Sequence, residues 1–297
     1  MRELLYEILT SAGRRMNFEQ TARLGNALGG LLWQALPGRR KLAVEAMVRH
    51  LGISKPEAGR LAKESFRHNA RSFVEIMVTQ RMDPRFLAEG VTFADPERVR
   101  FLAETKRPVI FATGHLGAWE LQTGSLGAFE GKRKIVVVRR PKDQALHEVM
   151  MRLRTRPMVD VVPHRQAVMP VLRILRKGGM AAFLVDHNCT RDEAVFLPFL
   201  GQTAAVNLGP ALLAVRARAL VVPGFLVRAE DGRYVQHFDE PLDTASLEGE
   251  RDEKVQATAE FYTRAVETYV RRYPEQWFWM HKRWKTRPPE EDGQPRA

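Results

Sequence analysis

Two residues raise the first chemical question. The stretch VIFATGHLGAWELQTGSLGAF, residues 109–129, carries His115 and, five positions on, Glu120, at the point where an apolar strand-like run hands over to a helix-like one. An imidazole beside a carboxylate suits general acid–base chemistry. The carboxylate accepts a hydrogen bond from one ring nitrogen and holds the tautomer, and the other nitrogen is left to take a proton. Gly114 and Gly117 flank the histidine and let a substrate carbonyl approach the backbone, while the following helix start offers unpaired N–H groups. A second polar strand end, FLVDHN, supplies Asp186 and His187. Spacing alone leaves two readings of His115 open: a general base toward a substrate hydroxyl, or a hydrogen-bonded packing residue.

Other chemistries fit poorly. His115 and Glu120 lack further ligands at familiar metal-site spacing, and no H-E-x-x-H occurs, so no metal is expected. There is no G-x-S-x-G, and TGSLGAF does not have the spacing of a nucleophile elbow. GAFEGKR is one residue short of a phosphate-binding loop and ends in Arg133. The single cysteine, Cys189, excludes an intramolecular disulfide and any cysteine-cluster metal site, and its position beside His187 makes a weak case for a thiol nucleophile.

These residues need a scaffold that brings strand ends together. Beyond residue 90, apolar runs rich in Val, Ile and Phe (PVIFAT, KIVVV, VDVV, MAAFLVD, ALVVPGFLV) alternate with helix-like stretches at 117–129, 142–154, 166–177 and 207–218. Continuous apolar strands separated by helices predict an α/β fold, with a mostly parallel central sheet covered by helices on both faces. In such a sheet ligands bind at the carboxyl ends of the strands. The first 82 residues read as a helical N-terminal extension with Ser54 as an N-cap and Glu57 as its capping-box partner. Residues 83–288 read as the core, packed with the extension as one domain, with an amphipathic helix at about 250–272 and a polar tail at 289–297.

At 297 residues, 44% of them hydrophobic and 28% charged, the chain is globular. Its net charge of +12 favours an acidic partner: nucleic acid, an anionic membrane or an acidic carrier protein. The opening segment is broken by Glu3, Glu7, Arg14, Arg15 and Glu19, which is not the pattern of a secretory signal. LGNALGGLLWQAL, residues 24–36, is too short to span a bilayer. As a helix it lines up Leu24, Leu28, Leu31, Leu32, Ala35 and Leu36, with Arg23 before it and Arg39, Arg40 and Lys41 after it. Such a segment suits either a helix lying in a membrane interface or a core-facing amphipathic helix. Near the C-terminus, Trp277, Trp279 and Trp284 sit among Lys282, Arg283 and Lys285, a pattern that suits base stacking or a membrane interface, or more simply packing of Trp277 and Trp279 with the cations solvated.

The motifs taken in order resemble a known family. GHLGAWE fits the histidine, four residues, acidic residue signature of the glycerolipid acyltransferases. VVVRRPKDQALHEVM, FLVDHN, FLPFLGQTAAVNLGPALLAVRARALVVPGFLVR and PEQWFWMHKRWKTRP resemble successive segments of the late acyltransferases of lipid A biosynthesis. The resemblance covers roughly residues 40–288. It implies His115 as general base, Glu120 as its orienting partner, and Arg140 as a grip on the acidic head of the substrate, with Arg139 as the alternative register. Asp186 and His187 would support the cleft, and Gly114 and Gly117 would line it. Gly114 departs from the family pattern, in which an asparagine often precedes the histidine, and the usual transmembrane anchor is reduced to residues 24–36.

The activity implied is transfer of a fatty acyl chain from an acyl carrier protein thioester to a hydroxyl of a lipid A precursor. No covalent acyl-enzyme forms and no cofactor is needed beyond the acyl carrier protein co-substrate. The implied partners are acyl carrier protein, an anionic membrane surface and a glycolipid acceptor, with no nucleic acid, and the implied location is the cytoplasmic face of the bacterial inner membrane, peripheral or monotopic. Two alternatives stay open: the same chemistry on another glycolipid or phospholipid, such as a phosphatidylinositol mannoside, and a non-enzymatic basic protein that binds nucleic acid or membrane surfaces.

Overall fold

The structure is a computed structural model that describes residues 8, 11–13, 15–77, 90–139, 144–154 and 158–291. Arg14, Arg140 and Pro141 lie outside the described residues, as do parts of the expected helices before residue 90 and around 142 and most of the expected tail.

Three helices come first: α1 (Phe18–Ala35), α2 (Pro37–Leu51) and α3 (Lys55–Glu75). Asn17 and Gln20 cap α1 reciprocally, and Ser54 Oγ accepts the Glu57 N–H at 3.4 Å to start α3. Gly52 in the left-handed conformation (φ 68°) ends α2. The core follows as β1 (Val91–Phe93), α4 (Pro96–Glu104), β2 (Val109–Thr113), α5 (Trp119–Ser125), β3 (Lys134–Val138), α6 (Gln144–Arg154), β4 (Val159–Pro163), α7 (Val168–Leu175) and β5 (Met180–Leu184). A hairpin, β6 (Ala194–Phe199) and β7 (Gln202–Asn207), leads to α8 (Gly209–Ala217), β8 (Leu220–Arg228), β9 (Tyr234–Phe238), β10 (Leu242–Asp243) and α9 (Arg251–Arg272).

The main sheet runs β1-β9-β8-β2-β5-β3-β4, with β10 on β8. Pairings among β8, β2, β5, β3 and β4 are parallel; β9 and β10 pair with β8 antiparallel. Successive residues of β2 enter different cores. Ile110 and Ala112 face the larger one, built with helices α2, α3, α7, α8 and α9, while Val109 and Phe111 face the other with Leu102, Phe129 and Phe238. Burial on both faces is why the strand reads as an unbroken apolar run. The expected architecture is therefore present.

The β6–β7 hairpin was not foreseen. It turns through Leu200 (φ 51°) and Gly201 (φ 79°), both left-handed, as a tight two-residue hairpin turn requires. Only the glycine advertises that geometry in the sequence. Leu200 is held there by burial and by Glu267, whose carboxylate accepts its N–H.

Helix α1 docks mainly through residues other than its leucines. Its buried residues are Thr21, Gly25 and Gly29, one face at four-residue spacing that packs on α3. A Cβ on Gly29 would lie 2.4 Å from the Arg67 Cα, and one on Gly25 would lie 2.6 Å from the Arg71 Cα, so only glycine lets the two backbones approach. Leu24, Leu31 and Leu36 stay 47%, 64% and 39% exposed, while Leu32 and Trp33 pack partly against the core. Among the described residues no helix is long and apolar enough to cross a membrane.

Gly29→Val should destabilise the protein by about 1–3 kcal/mol, because the obstruction is backbone that cannot move aside. Gly30 has open space where a Cβ would sit, so Gly30→Ala should be neutral or stabilise by up to about 1 kcal/mol. Thermal denaturation of the two variants checks both signs.

Candidate active site

Parallel pairing of β2 with β5 aligns Thr113 with Leu184, so the loops leaving both strands emerge side by side. Two residues beyond each strand end stand His115 and Asp186. Asp186 Oδ1 lies 2.8 Å from His115 Nδ1, and Asp186 Oδ2 accepts the His115 backbone N–H at 2.7 Å and the Trp277 indole N–H at 2.8 Å. The carboxylate is fully buried, whereas the imidazole keeps 26% of its surface. Trp119, Phe278 and His187 surround the ring with centroids at 5.6, 6.1 and 6.5 Å.

This geometry corrects one expectation. The imidazole is oriented by Asp186 rather than by Glu120, both of whose carboxylate oxygens are occupied by Arg154: Nε donates to Oε2 at 3.0 Å and an Nη to Oε1 at 2.5 Å. Glu120 lies at the start of α5, one turn beyond the histidine, and its side chain turns to the end of α6 instead. It is still close enough for its charge to favour the imidazolium.

Gly114 makes room for the pair, and Gly117 for a close approach of backbone. A Cβ on Gly114 would come within 3.0 Å of Asp186 Oδ2, so the missing side chain is what admits the carboxylate. Gly117 has φ 63°, and a Cβ there would lie 2.1 Å from the Leu226 carbonyl oxygen. The loop's N–H groups are also committed: Leu116 to the Gly114 carbonyl, Gly117 to that of Gln276, and Ala118 to that of Leu226. Residues 115–117 and 276–278 form a short antiparallel ladder, closed by the Phe278 N–H donating to the His115 carbonyl at 3.0 Å.

Electrostatics follow from burial set against pairing. Desolvation opposes charging of His115, but the Asp186 carboxylate outweighs it through charge and hydrogen bond, and the imidazole pKa rises above its ordinary value. For Asp186 burial acts upward, yet His115 and the Trp277 N–H prevail and hold the carboxyl well below the usual carboxylate range. Burial, aided by the charge of His115, lowers His187 to about 4, and burial lowers His281 to about 4, so both neighbours are neutral near pH 7. Since Nδ1 is committed to Asp186, Nε2 is the nitrogen left to accept a proton.

The remaining expected residues separate. Arg139 is exposed just past the end of β3, and Arg140 falls outside the described residues. His187 borders the ring of His115. Cys189 is buried and its thiol is pushed up to about 11 by desolvation, which argues against a thiol nucleophile. Trp277 and Trp279 are buried as expected, but so is Arg283, which donates to the Ala205 carbonyl at 2.5 Å and lies over the Phe199 ring. The expectation of solvated cations therefore holds for Lys282 and Lys285 and fails for Arg283, whose pKa burial lowers to about 10. Among the described residues no group of three His, Cys, Asp or Glu side chains is placed to hold a metal ion.

Sequence reasoning missed two participants. Arg154 closes the predicted helix at 142–154, where a C-terminal cation is unremarkable, and Trp277 reads as one packed tryptophan among several. An apolar slot beneath α5, lined by Phe111, Leu126, Val138, Phe183 and Phe238, has Glu120 and Arg154 in its wall.

Asp186→Asn should drop the His115 pKa below that of a free histidine, since burial persists while the opposing charge is gone. An NMR titration of the imidazole, assigned by comparison with His115→Ala, measures the shift. A pKa still above the ordinary histidine value in Asp186→Asn would reject the pairing as its cause.

The chain is 27% identical over 282 residues to the lipid A biosynthesis lauroyltransferase of Escherichia coli (strain K12), covering 90% of this chain and 85% of that protein. It is 29% identical over 119 residues to the lipid A biosynthesis palmitoleoyltransferase of the same organism, covering 40% and 37%. Among solved structures, the 1-acyl-sn-glycerophosphate acyltransferase of Thermotoga maritima superposes with a TM-score of 0.37 at 14% identity, over 91% of this chain and 98% of that one. The model of the family described as bacterial lipid A biosynthesis acyltransferase matches residues 3–286, taking in the strand ends, the hairpin and the C-terminal ladder alike, and the chain belongs to that family.

Proposed function

We propose that the chain transfers a fatty acyl group from an acyl carrier protein thioester to a hydroxyl of a lipid A precursor, with His115 as general base and Asp186 as its orienting carboxylate. The observation that carries this reading is the hydrogen bond from His115 Nδ1 to a fully buried carboxylate, which leaves Nε2 free to accept a proton. Nε2 takes the acceptor's hydroxyl proton as the oxygen attacks the thioester carbonyl carbon. The tetrahedral intermediate expels the thiolate as the carbon–sulfur bond breaks, and the imidazolium returns its proton to the sulfur. Asp186 stabilises the imidazolium throughout. With Cys189 buried and protonated, a direct transfer without a covalent acyl-enzyme is the simpler path.

The slot beneath α5 offers an apolar lining of the kind an acyl chain needs, with the Glu120–Arg154 pair in its wall. The net charge of +12 complements an acidic carrier protein and a phosphorylated acceptor. Arg139 follows β3 at the same end of the sheet as the strand ends bearing His115 and Asp186, Arg140 is its neighbour in sequence, and an arginine fork suits phosphate. Exposed Leu24, Leu31 and Leu36, followed by Arg39, Arg40 and Lys41, support peripheral attachment to an anionic membrane surface, the cytoplasmic face of the inner membrane.

His115→Ala should lower acyl transfer by about 10²- to 10⁴-fold while melting like the wild type, and a folded variant with most of its activity would reject the mechanism. In the wild type the rate should climb as pH rises through the His115 pKa, so its acid limb should lie above the pKa of free histidine. Joint replacement of Leu24 and Leu31 by Ser should weaken flotation with anionic liposomes, and added salt should weaken it further. Undiminished flotation of that variant would remove α1 from membrane attachment.

A further inference from the structure

Helix α3 belongs to the stretch that the sequence sets apart as an extension, yet one of its faces is polar where a helix packed on a core should be apolar. Ser65, Asn69 and Ser72, at four- and three-residue spacing, are all completely buried. Each buried hydroxyl or amide costs free energy unless it is hydrogen-bonded, so the partners it finds identify its use. Ser65 Oγ donates to the Trp277 carbonyl at 2.6 Å, and Asn69 Nδ2, which donates chiefly to the Ser65 carbonyl at 2.6 Å, also reaches the Trp277 oxygen at 3.3 Å. Ser72 Oγ donates to the Gly117 carbonyl at 2.8 Å and accepts from an Nη of Arg228 at 2.7 Å. The same guanidinium, through Nε and that same Nη, is held by Glu75, one turn along α3, whose carboxylate also accepts the Tyr234 hydroxyl at 2.8 Å.

Both anchored carbonyls belong to the residues that build the dyad. Trp277 gives its indole N–H to Asp186, and Gly117 is two residues from His115 in a loop whose N–H groups are already engaged. They sit on opposite strands of the ladder joining 115–117 to 276–278, so the helix grips that ladder from both sides. Gln276 ties in Arg228 as well, accepting its backbone N–H at 3.0 Å and donating to its carbonyl at 2.9 Å.

We propose that Ser65 and Ser72, with Asn69 and the buried Arg228–Glu75 pair behind them, are positioning residues that set the distance and angle between His115 and Asp186. They touch neither substrate nor reacting atoms. Their effect is to fix the two backbone carbonyls on which the dyad's loops hang. The inference rests on His115 acting as the base, but its first measurement does not depend on catalysis.

Ser65→Ala, Ser72→Ala and their double variant, made in the full chain, each remove one or two oxygen atoms and leave the helix otherwise whole. Loosening the His115–Asp186 bond should let burial regain control, so the NMR-measured His115 pKa should move down in each variant. Acyl transfer should lose about 10- to 10²-fold in kcat, as misplacement of a catalytic group does, with KM within about twofold of the wild type. Asp243→Asn is the comparison for stability alone. It breaks the Arg107–Asp243 ion pair at the opposite end of β2, and it should lower Tm without moving the His115 pKa. If both serine variants keep the wild-type His115 pKa, the inference is overturned whatever their Tm. If the pKa moves but His115→Ala remains active, the positioning stands and it is the general-base reading that fails.

Discussion

An ionised carboxylate with no exposed surface is expensive unless every donor it needs is in place, and Asp186 is such a group. It takes two donors from His115 and one from Trp277, two parts of the chain far apart in sequence. Removing any of them would leave a buried charge short of a partner, at a cost on the order of several kcal/mol. Much of the local architecture reads as satisfaction of this one group. Gly114 lacks a side chain so that Asp186 can approach, Gly117 is left-handed so that the loop can turn under Leu226, and residues 276–278 run beside that loop so that the indole points inward.

The same requirement divides labour between two carboxylates. Asp186 is sequestered, ionised and committed to the imidazole. Glu120 meets a guanidinium in bidentate fashion and lies in the wall of the apolar slot. Two acidic groups near one histidine thus end with different tasks because their surroundings differ. A buried indole N–H and a strand end serve one, and the last turn of α6 serves the other.

Much of the fold was legible because its signals are local. Unbroken apolar runs marked β2, β3, β5 and β8, and Ser54 marked the start of α3. What stayed hidden depends on which strands become neighbours. FLVDHN and GHLGAWE were both visible as polar strand ends, but only the sheet order, which places β5 between β2 and β3, makes Asp186 rather than Glu120 the partner of the imidazole. Glu120 is nearer in sequence, and proximity along the chain misleads where the chain leaves a sheet. The docking face of α1 was obscured in a similar way: leucines draw attention, yet two glycines make the contact because the backbones have to come close.

The ladder between 115–117 and 276–278 also bears on how the molecule reaches its working state. The contacts that complete the dyad join residues far apart in sequence: 71 positions from His115 to Asp186, 91 from Asp186 to Trp277 and 212 from Ser65 to Trp277. Closing such loops costs entropy that local contacts do not, so pairings of this kind form late and depend on the rest of the sheet. During synthesis the helix that grips the ladder leaves the ribosome long before the segment it grips at 276–278. A nascent or partly folded chain therefore holds its histidine without the buried carboxylate that orients it, and the pair is assembled only as the fold is completed.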